Sequence, residues 1–219
     1  MQSQSALTIS MMKINSIVAQ PDRAGRHTVR FEDGTVMRLF RQTIEDFCLY
    51  SGKELSDEEM EKLTDSAGAM SAKMRAVRIL SVTGVSKKDL EHRLIQKGEN
   101  PDHAKAAVQW MTDLELVDDR KTAQHVVERC ISKGYGLARA KQALYEKRIP
   151  KEYWQEVLED YPDQKAHIVA FLESRLTDSN DPKQLRKVVD ALIRKGHSYS
   201  AIRRALDELS LDDPAFPEG

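Results

Sequence analysis

From about residue 70 to residue 209 the apolar side chains fall at helical spacing in three blocks, and one short phrase recurs in each: LIQKG at 94–98, LYEKR at 144–148 and LIRKG at 192–196. Leu90 and Leu94 stand eight and four positions before Gly98, and Val108 stands ten after it. The same offsets give Ala140, Leu144 and Leu158 around Arg148, and Val188, Leu192 and Leu206 around Gly196. Positions −8 and −4 share one face of a helix, while +10 falls in the next helix, so each block predicts a three-helix unit that buries a stripe against its neighbours. The phrase itself is the end of the middle helix: an apolar anchor, basic residues where the helix dipole favours cations, then a residue that turns the chain. The periods are 50 (148 − 98) and 48 (196 − 148), enough for three short helices each.

Punctuation agrees with this. Pro101, Pro150 and Pro182 sit at or near the first position of a helix, where the missing donor costs nothing. Asp119 and Ser198 are expected caps. In the third block the first loop, TDSND at 177–181, is longer than its counterparts.

Residues 13–40 change the picture. KINSIV and HTVRF are short β-branched runs, and Asp33-Gly34 within FEDGTVMRLF predicts a hairpin with a type I′ turn. TIEDFCLY at 43–50 reads as a short helix closed at Ser51-Gly52. Ser56 followed by Glu59 is a capping box that starts a helix near Asp57. That helix is expected to have a weak point at Ala67-Gly68-Ala69 and to continue with Met70, Met74, Val77 and Leu80 or Val82 on one face. The expected fold is mainly α: three tandem three-helix repeats in an elongated curved array, with a small N-terminal β unit. Boundaries are placed at 1–69 for the β-hairpin and helical lead-in, 70–117, 118–161 and 162–210 for the repeats, and 211–219 for an acidic flexible tail.

Charge refines the partner class. The 219 residues carry a formal net charge of −1, but residues 118–151 contain nine Lys/Arg against four Asp/Glu, and residues 183–204 contain seven against one. Residues 41–71 hold eight acids and three bases, and 205–219 hold five acids and no base. Local patches outweigh the total because the field decays over about 8–10 Å in physiological salt. The two cysteines, Cys48 and Cys130, lie too far apart for a metal knuckle and suit a reducing compartment. With no signal peptide and no long apolar run, the expectation is a cytoplasmic protein without a membrane span.

Catalytic chemistry finds no foothold. The six histidines stand in no two-ligand frame, KGYGLAR at 133–139 lacks the strand and the Lys-Ser/Thr of a phosphate loop, and no G-x-S-x-G elbow is present. Asp118-Asp119 is read as helix capping, and Trp110 and Trp154 as core or repeat-interface packing. No metal, cofactor or catalytic residue is expected. Basic side chains remain: Arg139, Lys141, Lys147 and Arg148 with Tyr145, and Arg186, Lys187, Arg194, Lys195, Arg203 and Arg204 with Tyr199. Such clusters suit phosphates, an acidic protein surface, or simple solvation of a helix face.

The run LVDDRKTAQHVVERCISKGYGLARAKQAL at 116–144 resembles the signature of the RecX family of regulatory proteins, through Leu116, Asp118, Asp119, Ala123, Arg129, Lys133, Gly134, Tyr135, Gly136 and Arg139. The resemblance extends to 76–98, 186–206, KINSIV, the DGT turn and GKEL at 52–55. The family commonly has phenylalanine where Thr122 stands and glycine where Arg148 stands. The resemblance implies a non-enzymatic, bacterial, cytoplasmic regulator, and since nothing in the sequence demands a dimer, a monomer is expected. Its partner would be the RecA recombinase filament, bound in the groove with weak single-stranded DNA contact, so that recombinase, ATPase and SOS coprotease activities are inhibited. A single-stranded nucleic-acid-binding module independent of RecA, or a protein scaffold, would show the same basic faces.

Overall fold

The computed structural model describes residues 11–176 and 181–209. The expected acidic tail at 211–219 and most of the TDSND loop lie outside the described residues. Three strands come first: β1 (Met11–Ile17), β2 (Arg26–Phe31) and β3 (Val36–Phe40). Helix α1 (Arg41–Asp46) and strand β4 (Glu54–Ser56) follow, and then α2 (Asp57–Leu80), α3 (Lys87–Gln96) and α4 (Pro101–Asp113). Next are α5 (Asp119–Ser132), α6 (Leu137–Glu146) and a 3-10 turn (Lys151–Tyr153) that runs into α7 (Trp154–Leu158). The last are α8 (Lys165–Arg175), α9 (Pro182–Arg194) and α10 (Tyr199–Glu208). The chain is mainly helical, with a small N-terminal sheet. It divides into two compact units, one made of the residues up to Thr83 together with Leu90–Leu114, the other of Gly84–Asp89 together with the residues from Glu115 on.

In the first unit the sheet has the order β3-β2-β1-β4, antiparallel throughout, with a bulge in β1 between Ile14 and Ser16. Alternation along the strands sends Ile14, Val29, Phe31, Leu39 and Leu55 into one core with Leu49 and Leu63. The hairpin expected at Asp33-Gly34 is present, but its turn is not type I′. Only Gly34 has positive φ, at 90°, because Asp33 folds its carboxylate over the turn and accepts from both Thr35 N–H (2.8 Å) and Thr35 Oγ1 (2.7 Å). Strand β4 is three residues long, too short for a period to register in the sequence. Helix α1 stops at Cys48 in the left-handed region (φ 47°), earlier than the expected closure at Gly52, which instead turns the chain and donates to Ile14 O (2.7 Å).

The capping box forms as expected, with Ser56 Oγ accepting from Glu59 N–H and the Glu59 carboxylate accepting from Ser56 N–H. Helix α2 then runs unbroken through Gly68. That glycine is a point of close approach, since a Cβ there would lie 2.5 Å from His103 Cε1 of α4, whose Nε2 is 2.8 Å from Asp65 Oδ1. The buried face of α2 is also not the expected one. Val77 and Val82 are exposed (39% and 83%) whereas Leu63, Ala72 and Ala76 are buried, because α2 packs on Ala104 and Ala107 of α4 and small side chains let the two backbones approach.

The three copies end their middle helices alike. Gly98, Arg148 and Gly196 adopt φ of 87°, 53° and 87° and donate to Ile95, Tyr145 and Ile193 carbonyls. The following residues Glu99, Ile149 and His197 donate to Leu94, Leu144 and Leu192 carbonyls, the paired bonds of a Schellman cap. Leu90, Leu94, Ala140, Leu144 and Leu192 are essentially fully buried, each large one contributing about 1.5–3 kcal/mol before ordering entropy is set against it. In the second unit α5, α6 and α7 share a core of Ala123, Val127, Leu144 and Ile149, closed by Trp154, whose Nε1 donates to Ile149 O (3.1 Å). Helices α8, α9 and α10 share another, built on Ile168, Leu172, Leu185, Val189, Leu192 and Ile202. Trp110, by contrast, is partly exposed (36%), with Lys73 Nζ 5.2 Å from its ring centroid, so it is no core residue.

Candidate functional site

The 116–144 run folds into the junction between the second and third copies, and its residue types follow from that. Asp118, rather than Asp119, is the N-cap of α5, accepting from Arg120 and Lys121 N–H. Asp119 is buried and accepts from Lys87 N–H (2.8 Å) at the start of α3, so it caps a different helix; burial pushes its carboxyl above the usual range. Gly134 closes α5 at φ 63°, where a Cβ would meet His167 Cδ2 at 2.6 Å. Gly136 opens α6 pressed against another backbone: an added Cβ would stand 2.0 Å from Gly196 O. The N–H groups of Gly136 and Ala138 donate to the carbonyls of Lys195 and Gly196 (3.0 and 3.2 Å), so the end of α9 caps the start of α6. His197 is buried and its Nε2 donates to Gly134 O (3.0 Å) across the same contact. Burial also holds its imidazole below its ordinary range.

Tyr135 is pinned from behind by Tyr161, whose hydroxyl donates to Tyr135 O (2.7 Å) and whose phenol is pushed up to about 12 by burial. Lys195 Nζ lies over the Tyr135 and Phe171 rings (5.2 and 5.1 Å to their centroids), and Lys133 lies 6.0 Å over Tyr135. Tyr135 belongs to the signature run, whereas Tyr161 and Phe171 carried no sequence signal beyond composition.

The ten basic residues named from the sequence divide by role. Arg139 is half-buried, pairs with Glu146 (2.9 Å), and sets its backbone against Gly196. Lys195 is stacked as described. Arg148 occupies the left-handed turn position with its side chain outside, and the Lys147 carbonyl accepts from Ser86 Oγ (2.7 Å). Lys141 and Arg204 lie on the rim of one hollow, Arg204 3.7 Å from Asp163. Arg186, Lys187, Arg194 and Arg203 are exposed on α9 and α10 and form no ion pair among the described residues. Lys141 and Arg204 therefore share one hollow, Arg139 and Lys195 are held in contacts of the junction, and Arg148, Arg186, Lys187, Arg194 and Arg203 present charge to solvent.

The hollow holds about 530 Å³ and is lined by α6, α8 and α10. Among the described residues no group of three or more His, Cys, Asp or Glu is placed to hold a metal ion, and no helix is long and apolar enough to cross a membrane. The chemistry on offer is recognition through cations, helix ends and aromatic faces.

Comparison with known proteins assigns the architecture. No family model matches the chain. Regulatory protein RecX of Lactococcus lactis subsp. cremoris (strain SK11) is 30% identical over 187 residues, covering 80% of this chain and 68% of that protein. The chain belongs to the RecX family. Regulatory protein RecX of Clostridioides difficile (strain 630) is 26% identical over 202 residues, covering 90% of this chain and 95% of that protein. Among solved structures, a crystal structure of regulatory protein RecX superposes with a TM-score of 0.60 at 20% identity, covering 90% of this chain and 99% of that one. RecX from Lactobacillus salivarius superposes with a TM-score of 0.55 at 23% identity, covering 67% and 99%. At such identities the solved structures establish the fold, and the sequence relatives establish the regulatory family.

Proposed function

We propose that this chain binds filaments of the RecA recombinase on single-stranded DNA and restrains their strand exchange, ATP hydrolysis and coprotease activity, acting in the bacterial cytoplasm by binding and without catalysis of its own. The observation that carries this reading is membership of the RecX family at 30% identity over 80% of the chain. The physical basis is a set of exposed cations, Lys141, Arg186, Lys187, Arg194 and Arg203, on helices whose own folding contacts do not use them. A filament offers both phosphates and carboxylates at the spacing of a repeating lattice, and repeat proteins meet such lattices over an extended surface.

RecA ATP hydrolysis on single-stranded DNA, followed while the protein is added to preformed filaments, tests the reading. A progressive fall at substoichiometric ratios is the expected result; no change with a cognate RecA overturns it. Charge reversal at Lys141, Arg186, Lys187 and Arg194 is expected to raise the concentration needed for half-inhibition by at least about ten-fold with helical content unchanged. An unaltered titration would remove the basic faces from the contact.

A further inference from the structure

One wall of the hollow in the second unit belongs to α10, the last described helix, and the chain leaves that helix beside it. Ala201 and Arg204 of α10 line the hollow. Glu208, at the end of the same helix, pairs at 2.5 Å with Lys165 Nζ, the neighbour in sequence of the lining residue Gln164. Leu137, Pro162 and Ile168 make the lining apolar, and Leu137 is 40% exposed there. Two cations complete it. Lys141 is exposed and forms no ion pair among the described residues. Arg204 reaches Asp163 only at 3.7 Å, and the Asp163 carboxylate is also engaged by Lys165 N–H (2.9 Å). An occupant that fits carries carboxylates and an apolar side chain within a few residues of each other.

Residues 210–219, SLDDPAFPEG, lie outside the described residues and have that composition. Asp212, Asp213 and Glu218 stand there without a base, around Leu211 and Phe216. Arg204 lies five residues before Leu209 (209 − 204), about 7.5 Å along a helix at 1.5 Å per residue. A chain that doubles back at up to about 3.3–3.6 Å per residue covers this within three residues, which brings Asp212 and Asp213 level with Arg204. Pro214 and Pro217 disfavour a continued helix over the stretch that follows.

We propose that residues 211–216 of this same chain occupy the hollow, with Asp212 and Asp213 on Arg204 and Lys141 and with Phe216 against Leu137 and Pro162. The tether favours this occupant over a free acidic peptide. A segment joined through Leu209 is presented at an effective concentration on the order of millimolar, whereas a free peptide must supply all of its own affinity. Once seated, the segment screens Lys141 and Arg204 from any other polyanion, so the chain carries its own competitor for part of its basic surface. The contact needs no property of RecA, and it stands or falls apart from the filament reading.

The test is disulfide trapping in the full chain with Cys48→Ser, which removes the exposed thiol and leaves the buried Cys130. Ala215→Cys is paired either with Ala138→Cys, exposed in the lining of the hollow, or with Glu173→Cys, exposed on α8 outside it. Under mild oxidation the 138 pair is expected to close at least about ten-fold faster than the 173 pair, at a rate independent of protein concentration. Adding Asp212→Asn and Asp213→Asn is expected to bring the two rates together. Equal rates before that change overturn the proposal, as does cross-linking that rises with protein concentration and yields dimers, the sign of a second copy as occupant. A second arm needs no cysteine: a labelled peptide of residues 209–219 is titrated into the full chain, either wild type or carrying Asp212→Asn and Asp213→Asn. Binding to the substituted chain is expected to be roughly ten-fold tighter, because the wild-type segment competes for the same hollow, and the difference should shrink as salt rises. Equal affinity for the two chains, or no binding to either, overturns the proposal. So does tighter binding that survives Lys141→Gln and Arg204→Gln. Neither arm contains RecA, so a failure here leaves the filament reading untouched.

Discussion

The second unit makes the same helix-to-helix junction twice, with different residues. Where α9 ends on α6, backbone meets backbone: Gly136 N–H donates to Lys195 O, and Gly196 has no room for a Cβ, which would stand 2.3 Å from Arg139 N. Where α6 ends at the start of α3, the residues at the equivalent positions are Ser86 for Gly136, Lys147 for Lys195 and Arg148 for Gly196. There Ser86 Oγ both donates to Lys147 O (2.7 Å) and accepts from Asp89 N–H (3.1 Å). A hydroxyl inserted between the two ends fills the role of the direct amide, and the space it opens lets residue 148 carry a side chain. Glycine at this turn is thus demanded by what the junction presses against it, and only secondarily by φ. That accounts for an arginine at 148 where the other two copies have glycine.

The comparison can be broken most forcefully at its tight side. Gly196→Ala and Gly136→Ala are each expected to cost about 3 kcal/mol in urea unfolding, since the clash is with backbone that cannot give way. Gly98→Ala shares the φ of 87° but meets nothing within 4 Å, and should cost only about 1 kcal/mol. Equal losses at 98 and 196 would refute the claim that the junction, and not the turn, selects glycine. On the bridged side, Ser86→Ala removes a cap and a buried donor together and is expected to cost about 1–2 kcal/mol by the same measurement. Arg148→Gly relieves a left-handed residue with a Cβ and is expected to gain roughly 0.5–1 kcal/mol; a loss would mean the Arg148 side chain contributes to folding.

The smallest effect concerns the residue after the turn, Ile149 on one side and His197 on the other. The folded imidazole titrates below its unfolded value of 6.5, so above that pH its contribution is complete. It is lost as the pH falls through the folded value, because there the unfolded chain binds a proton that the buried ring does not. His197→Gln is therefore expected to flatten the fall in melting temperature between neutral and mildly acidic pH, with Lys195 and His167 as the neighbouring charges that depress the ring further. An unchanged pH profile would show that His197 titrates as it does in the unfolded chain.

Much of the local architecture was legible because it is written within a few residues. The capping box at Ser56 and Glu59, the cap at Ser198, and the prolines opening α4 and α9 each reflect donors that must be met within one turn. The apolar offsets around Gly98, Arg148 and Gly196 found the buried anchors, except that Leu158 is only partly buried. Errors arose wherever a neighbour distant in sequence decided the outcome. Gly68 was expected to weaken α2, yet His103 needs that space; Val77 was expected inside, yet α4 selected the alanine face; Asp119 was expected to cap α5, yet it serves Lys87. The candidate site was legible only as a list of cations. Its organising residues, Gly136, Gln164 and His197, are small or uncharged at neutral pH, and nothing about them stands out along the chain.

The sequence by itself determined the helical repeat, the helix ends and the uneven charge, because periodicity, caps and glycine turns are settled by energies that act within about one helical turn. Only the tertiary structure decided which helix end meets which helix start, which face of α2 is buried, and that a hollow with Lys141 and Arg204 in its lining forms between α6, α8 and α10. Those features rest on contacts between residues far apart in the chain, such as Asp65 with His103, His197 with Gly134 and Ser86 with Lys147, and packing at that range is chosen by shape and solvent exclusion that no local pattern encodes.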